Sequence, residues 1–107
     1  MQLNSTGTKL ESFDFDKKIS KIHFRIQQNG RRKITIIQGL DNDLDHKKIM
    51  KAMKKVFNCN GAVVSDEEYG DVIQLQGDHR EECVEWLITQ DILTESDRKE
   101  RVVINGI

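Results

Sequence analysis

An α+β fold is predicted: a two-layer sandwich in which a mixed, mostly antiparallel sheet of about five strands carries two helices on one face. Three features of the 107-residue chain point there. Short runs alternate apolar and polar residues with period 2, two stretches carry an apolar stripe at helical spacing, and the segments follow in the order strand, strand, helix, strand, strand, helix, strand. The length suits a single domain with tails.

Residues 1–18 show neither period and read as a flexible N-terminal tail to a domain over 19–107. In that tail Phe13 and Phe15, flanked by acids, either dock on their own domain or form a short motif for a partner. Ile22, Phe24 and Ile26 then alternate with His23, Arg25 and Gln27, the pattern of a strand with one apolar face. Asn29-Gly30 follows, a pair suited to the positive φ of a tight hairpin turn. A second strand is expected over about 33–38, with Ile34 and Ile36 alternating against Thr35, and Gly39 closes it. Asp41, Asp43 and Asp45 are N-cap candidates, because a carboxylate accepts from the free amides of a first helical turn and sits at the positive end of the dipole. From Asp45 or His46 onward, Ile49, Met50, Met53, Val56 and Phe57 make one apolar stripe, and Lys47, Lys48, Lys51, Lys54 and Lys55 occupy the remaining surface. Asn58, Asn60 or Gly61 can take the left-handed conformation that ends a helix.

Residues 62–64 and 72–76 form a second hairpin around an acidic loop, 65–71. Gly77-Asp78 leads into a second helix, with Asp78 and Glu81 at capping-box spacing. Its buried stripe is Cys83, Val84, Leu87 and Ile88, with Trp86 at the margin. Residues 94–99 are polar, and 101–104 give a last short strand. Without proline, the turns rely on Gly, Asn and Asp. The outer sheet face should present His23, Arg25, Gln27, Thr35, Gln74 and Gln76.

The net charge of -1 conceals a segregation. Positions 17–55 hold twelve basic side chains against three acids, whereas positions 56–107 hold four against twelve. A small domain with one basic and one acidic half attracts a polyanion with one surface and repels it with another, which suggests a nucleic-acid partner met in a fixed orientation. The first hairpin projects Arg31, Arg32 and Lys33 beside Gln27, Gln28 and Asn29. Arginine hydrogen-bonds phosphate through paired N–H groups, and amides reach sugar or base edges. No aromatic residue accompanies these cations, so contact by shape and backbone is expected rather than base stacking.

Enzyme chemistry is not expected. His23, His46 and His79 fall on a strand and two helix starts with no nucleophile at a recognisable spacing, and read as surface or capping residues. No phosphate-cradling glycine loop, nucleophile elbow or H-E-x-x-H motif occurs. Asp66, Glu67 and Glu68 read as mutually repelling, solvated carboxylates rather than a magnesium site. Cys59 and Cys83 are too distant in sequence for a C-x-x-C site and read as reduced core thiols. No cofactor or metal follows. No apolar run approaches the roughly 18 residues that span a bilayer, and no secretory signal is evident, so a soluble protein is expected.

Specific strings carry a resemblance. Ile22-His23-Phe24-Arg25-Ile26-Gln27-Gln28 with Asn29-Gly30-Arg31, then Gln38-Gly39, Cys59-Asn60-Gly61, Tyr69-Gly70 and Val72-Ile73-Gln74-Leu75-Gln76-Gly77-Asp78 closely resemble the eukaryotic translation initiation factor 1 family, from about Ser20 to Ile107. The resemblance implies a cytoplasmic, monomeric, non-enzymatic factor. Such a factor binds the small ribosomal subunit near the P site, promotes scanning, and enforces start-codon selection by opposing premature seating of initiator tRNA. The implied partners are ribosomal RNA, other translation initiation factors and, indirectly, initiator tRNA, with no membrane. By matching position, Asn29, Gly30, Arg31, Arg32 and Lys33, with Lys51, Lys54 and Lys55, would contact rRNA. Asp66, Glu67, Glu68, Tyr69, Gly70 and Asp71 would form the loop facing initiator tRNA. This chain departs from the family pattern in a basic loop one residue shorter, in Trp86 where Phe is common, and in Asn105-Gly106-Ile107 where His-Gly-Phe is usual.

Two other classes fit some of the same residues. A protein-interaction module of the preinitiation complex would turn the lysine helix toward acidic protein surfaces without direct rRNA contact. A small acylphosphate or phosphate-ester hydrolase would use Arg31 or Arg32 as an anion clamp with Asn29 orienting water.

Overall fold

The computed structural model describes residues 20–105. The tail expected over 1–18, with Phe13 and Phe15, lies outside the described residues, as do Gly106 and Ile107. Five strands, β1 (Ile22–Asn29), β2 (Arg32–Gln38), β3 (Gly61–Asp66), β4 (Gly70–Gln76) and β5 (Val102–Ile104), form one sheet in the order β3-β4-β2-β1-β5. β1 pairs antiparallel with β2, β2 with β4 and β4 with β3, while β5 joins β1 in parallel. Helices α1 (His46–Val56), α2 (Arg80–Thr89) and α3 (Glu95–Glu100) complete the fold. It is the mixed α+β sandwich expected from the sequence, with one further helix.

Ile22 and Phe24 of β1, Ile37 of β2, and Ile73 and Leu75 of β4 point toward the helices. There they meet Ile49 and Met53 of α1 and Cys83, Val84 and Leu87 of α2, with Leu40 and Leu93 closing the core. Cross-strand pairing fixes this face, because a shift by one residue would turn every one of these side chains to the opposite side.

β2 corrects one expectation. Thr35, assigned above to the outer face, is 0% exposed on the helix side together with Ile37. Ile34 and Ile36 instead lie on the outer face, opposite Gln27 and Arg25. Three isoleucines at 34, 36 and 37 let the strand be read in either phase, and the hydroxyl decides. Thr35 Oγ1 donates to the Gly77 carbonyl at 2.6 Å and accepts from the His79 amide at 2.8 Å. A buried hydroxyl is tolerated where both its donor and its acceptor are used.

The helix ends follow local chemistry, with two corrections. Asp45 caps α1 as expected, accepting from the Lys48 amide at 3.1 Å, and Asn58 takes the left-handed conformation just past the helix at φ 52°. The Asp78 and Glu81 capping box does not form, because His79 is the N-cap and Asp78 pairs with Arg80 through Nε at 2.9 Å and Nη2 at 2.8 Å. A capping box stands instead at Thr94 and Asp97, where the side-chain and backbone bonds measure 3.0 and 2.9 Å. That box starts α3 in the stretch expected to be a polar connection, and its Thr-x-x-Asp spacing was legible in the sequence.

Two side chains depart from their expected exposure. Val56, placed in the buried stripe, is 56% exposed at the last position of α1. His46, expected as a surface or capping residue, is 4% exposed, and its Nδ1–H donates to the Leu44 carbonyl at 3.0 Å.

Candidate nucleic-acid interface

The first hairpin turns at Gly30 and Arg31, with Asn29 and Arg32 as the last paired residues. The turn is thus one residue later than Asn29-Gly30, and only Gly30 takes a positive φ, 66°. This matches a two-residue turn with glycine first. Asn29, Gly30, Arg31, Arg32 and Lys33 are all exposed, so three cations project from a stem held by the β1–β2 ladder.

α1 runs so that its C-terminal half lies at the same end of the sheet. Gly61, which begins β3 directly after the helix loop, pairs with Leu75, and the next residue of β4, Gln76, pairs with Ile34 of β2. The Gln76 amide donates to the Asn60 carbonyl at 2.8 Å, and the Gly77 amide donates to the Lys33 carbonyl at 2.7 Å. The base of the basic hairpin and the end of the lysine helix are therefore tied to one strand. Lys51 and Lys55 are exposed and Lys54 half-buried, and all three border a groove of about 880 Å³ that also touches Asn58 and Cys59. Next to it lies a groove of about 500 Å³ lined by Arg32, Lys33, Ile34, Asn60, Gln76 and Gly77.

The acidic turn occupies the opposite end. β3 and β4 extend further than expected, leaving only Glu67, Glu68 and Tyr69 between the paired residues Asp66 and Gly70. The Asp66 carboxylate accepts from the amides of Glu68 and Tyr69, each at 2.9 Å, which fixes the turn from inside. Tyr69 packs edge-on against His23 with ring centroids 6.0 Å apart. A cleft of about 360 Å³ at this end brings Asp41 and Asn42 beside Glu68 and Tyr69. Asp41, which by sequence belongs to the basic half, thus folds beside the acidic turn. A seven-residue strand such as β4 spans about 20 Å, roughly two Debye lengths at physiological salt, so the two ends do not neutralise one another.

The cations fall into two groups. Arg80 pairs with Asp78, Arg98 with Glu85 and Glu95, and Arg101 with Asp41 and Asp97. Hydrogen bonds from Arg80 hold the Asp78 carboxyl below the usual range, and the Thr94 backbone amide does the same for Asp97. By contrast, among the described residues no ion pair engages Arg31, Arg32, Lys33, Lys51, Lys54 or Lys55. Charge without an internal partner is what a phosphate backbone can recruit. Burial pushes the Cys83 thiol up to about 12 and also raises that of Cys59, so neither is favoured as a thiolate. Both are free cysteines; Cys83 lies in the core as expected, whereas Cys59 is half-buried at the groove.

A family profile described as translation initiation factor SUI1 matches residues 18–93. The chain belongs to this family. A fission-yeast (Schizosaccharomyces pombe) protein translation factor sui1 is 51% identical over 67% of this chain and 67% of its own length. The eukaryotic translation initiation factor 1 proteins of Mus musculus and Homo sapiens are 56% and 54% identical over 63% of this chain. The matched stretch spans 60% of each of those two relatives. In three dimensions the C-terminal domain of human eIF2D superposes with a TM-score of 0.64 at 19% identity, covering 83% of this chain and 43% of that one. At that identity the likeness concerns the fold alone.

The structure brings the hairpin cations and the helix lysines expected from the family pattern to one end, and the loop of Asp66, Glu67, Glu68, Tyr69, Gly70 and Asp71 to the other. Sequence reasoning missed the stacking of His79 on Phe57, with centroids 5.1 Å apart and planes at 12°. It also missed the meeting of Asn60 with Gln76. Neither pair has a sequence signal, because each joins the chain just after α1 to residues at or just beyond the end of β4, about 16 to 22 positions away.

Proposed function

We propose that this chain is a translation initiation factor that binds the small ribosomal subunit near the P site. In this reading it promotes scanning and enforces start-codon selection by opposing premature seating of initiator tRNA, as a non-enzymatic cytoplasmic monomer working with other initiation factors. Family membership supports the role in initiation. The observation that carries the finer reading is the placement, at opposite ends of one sheet, of carboxylates and of cations that enter no ion pair among the described residues. Asn29 to Lys33 and Lys51, Lys54 and Lys55 face rRNA phosphates, while Glu67, Glu68 and Asp71 face the phosphates of initiator tRNA, with Asp66, Tyr69 and Gly70 shaping that turn. Closure of tRNA onto the subunit then opposes the factor. Because coupling between two ligands is reciprocal, seating of tRNA on a start codon weakens the factor's hold. A footprint of the purified protein on bare small subunits tests this: protection of rRNA bordering the P site is expected, and its absence sinks the reading.

One observation favours a second reading. Val56 stands exposed beside Lys55 at the end of α1, and a mixed apolar and cationic patch suits an acidic protein surface better than RNA. In that reading α1 is an interaction module of the preinitiation complex, and binding to subunits requires the protein partner.

A further inference from the structure

We infer that Asn60 and Gln76 read the ribose 2′-hydroxyls of the strand bound at the basic end, making that end selective for RNA over DNA. This rests on the proposal that the basic end binds RNA. Cations that contact phosphates do so whatever the sugar, so Arg31, Arg32, Lys33 and the helix lysines supply affinity without telling RNA from DNA. One route to discrimination is a group that bonds the 2′-hydroxyl, which both donates and accepts. A carboxamide does both.

The groove between the two basic patches holds two such groups, the exposed side chains of Asn60 and Gln76, directly beside Arg32 and Lys33. Their backbones are fixed by the bond from the Gln76 amide to the Asn60 carbonyl at 2.8 Å and, one residue on, by that from Gly77 to Lys33 at 2.7 Å. Asn60 and Gln76 also line the adjoining recess of about 180 Å³, with Ile34 in both, so an apolar surface runs beneath the amides. The groove volume of about 500 Å³ falls within the roughly 300–1,000 Å³ of small-ligand sites. No aromatic side chain lines either space, so sugar contact fits the groove and base stacking does not. Gly77 takes φ +99°, and a Cβ there would lie 2.8 Å from His79 Nε2, so the chain can leave the groove floor only through glycine.

The test compares an RNA hairpin with a DNA hairpin of the same sequence by fluorescence anisotropy across a salt series, using the full chain and the N60A/Q76A double variant. The wild type should prefer RNA. The double variant should lose about 3- to 10-fold on RNA, the range of one net neutral hydrogen bond, and little on DNA. Its salt slope should stay unchanged because no cation is removed. DNA binding in the same protein is the control for folding, since the bond between Asn60 and Gln76 uses backbone atoms only. Equal binding of RNA and DNA by the wild type, or an RNA preference kept by the double variant, overturns the inference while the RNA-binding reading stands. Binding of neither hairpin, with retention of an acidic peptide such as oligoglutamate, overturns that reading and the inference with it.

Discussion

The two hairpins of the sheet are built by the same backbone rules and behave oppositely. The acidic turn is braced by the Asp66 carboxylate on two amides and by Tyr69 against His23. In the basic turn one side-chain bond, from Gln28 Nε2 to the Gly30 carbonyl at 3.2 Å, supplements the strand ladder. The backbone of the acidic turn is therefore fixed from within, while Glu67 and Glu68 stand exposed on it. The basic turn presents cations on long side chains that can adjust to a phosphate surface. The comparison also teaches where charge is structural. The arginines of the second half are held in ion pairs within the fold, whereas among the described residues none engages the cations of the basic end.

Reversing charge at the basic end is the most forceful way to break this division. Changing Lys51, Lys54 and Lys55 to Glu should reduce binding to bare small subunits by about a hundredfold or more, with helicity by circular dichroism retained because the buried Ile49 and Met53 are untouched. Persistence of bare-subunit binding, with loss only of an acidic factor domain, would transfer α1 to the interaction-module reading.

Neutralising the hairpin tip is a smaller perturbation. Replacing Arg31, Arg32 and Lys33 with Ala should lower the slope of log K against log[salt] by about two to three units, since each phosphate contact contributes roughly 0.7–0.9. An unchanged slope would move the phosphate contacts away from this turn.

The acidic end is probed best without touching Asp66, whose carboxylate shapes the turn. Two like charges about 7 Å apart at an effective dielectric near 40 repel by roughly 1 kcal/mol before screening. Changing Glu67 and Glu68 to Lys should therefore raise initiation at UUG relative to AUG several-fold in a reporter assay, with subunit affinity unchanged. A ratio at the wild-type level, at normal protein abundance, would replace charge repulsion with a steric role for Tyr69.

The smallest expected effect sharpens the contrast by leaving both ends alone. Asp97 has a carboxyl held below its ordinary range, so its contribution is present above the usual carboxylate pKa and is lost as pH falls through the folded value. Asp97→Asn should cost about 1 kcal/mol at neutral pH, the scale of weakening a hydrogen bond to a charged group, and this difference from wild type should shrink below about pH 4. Chemical denaturation at a series of pH values checks it, and subunit binding should not change. A difference that is constant with pH would remove the carboxylate from the account.

The sequence by itself determined what depends on near neighbours. The β1–β2 hairpin and the stripe of α1 through Ile49 and Met53 follow from turn chemistry and periodicity acting over a few residues, which also narrowed the cap of α1 to Asp41, Asp43 or Asp45 and its terminus to Asn58, Asn60 or Gly61. The basic and acidic segments were legible because charge is additive along a chain. Only the tertiary structure decided the facing of β2, since Ile34, Ile36 and Ile37 fit either phase until Thr35 finds Gly77 and His79 across more than 40 positions. The same holds for the parallel docking of β5 beside β1, for the burial of His46, and for the gathering of Asp41 and Asn42 with Glu68 and Tyr69. These contacts form between segments far apart in sequence, and their free energy comes from burial and from pairing polar groups that water no longer reaches. A linear pattern carries no term for either, so the division of the molecule into two ends about 20 Å apart is a property of the sheet and not of the string.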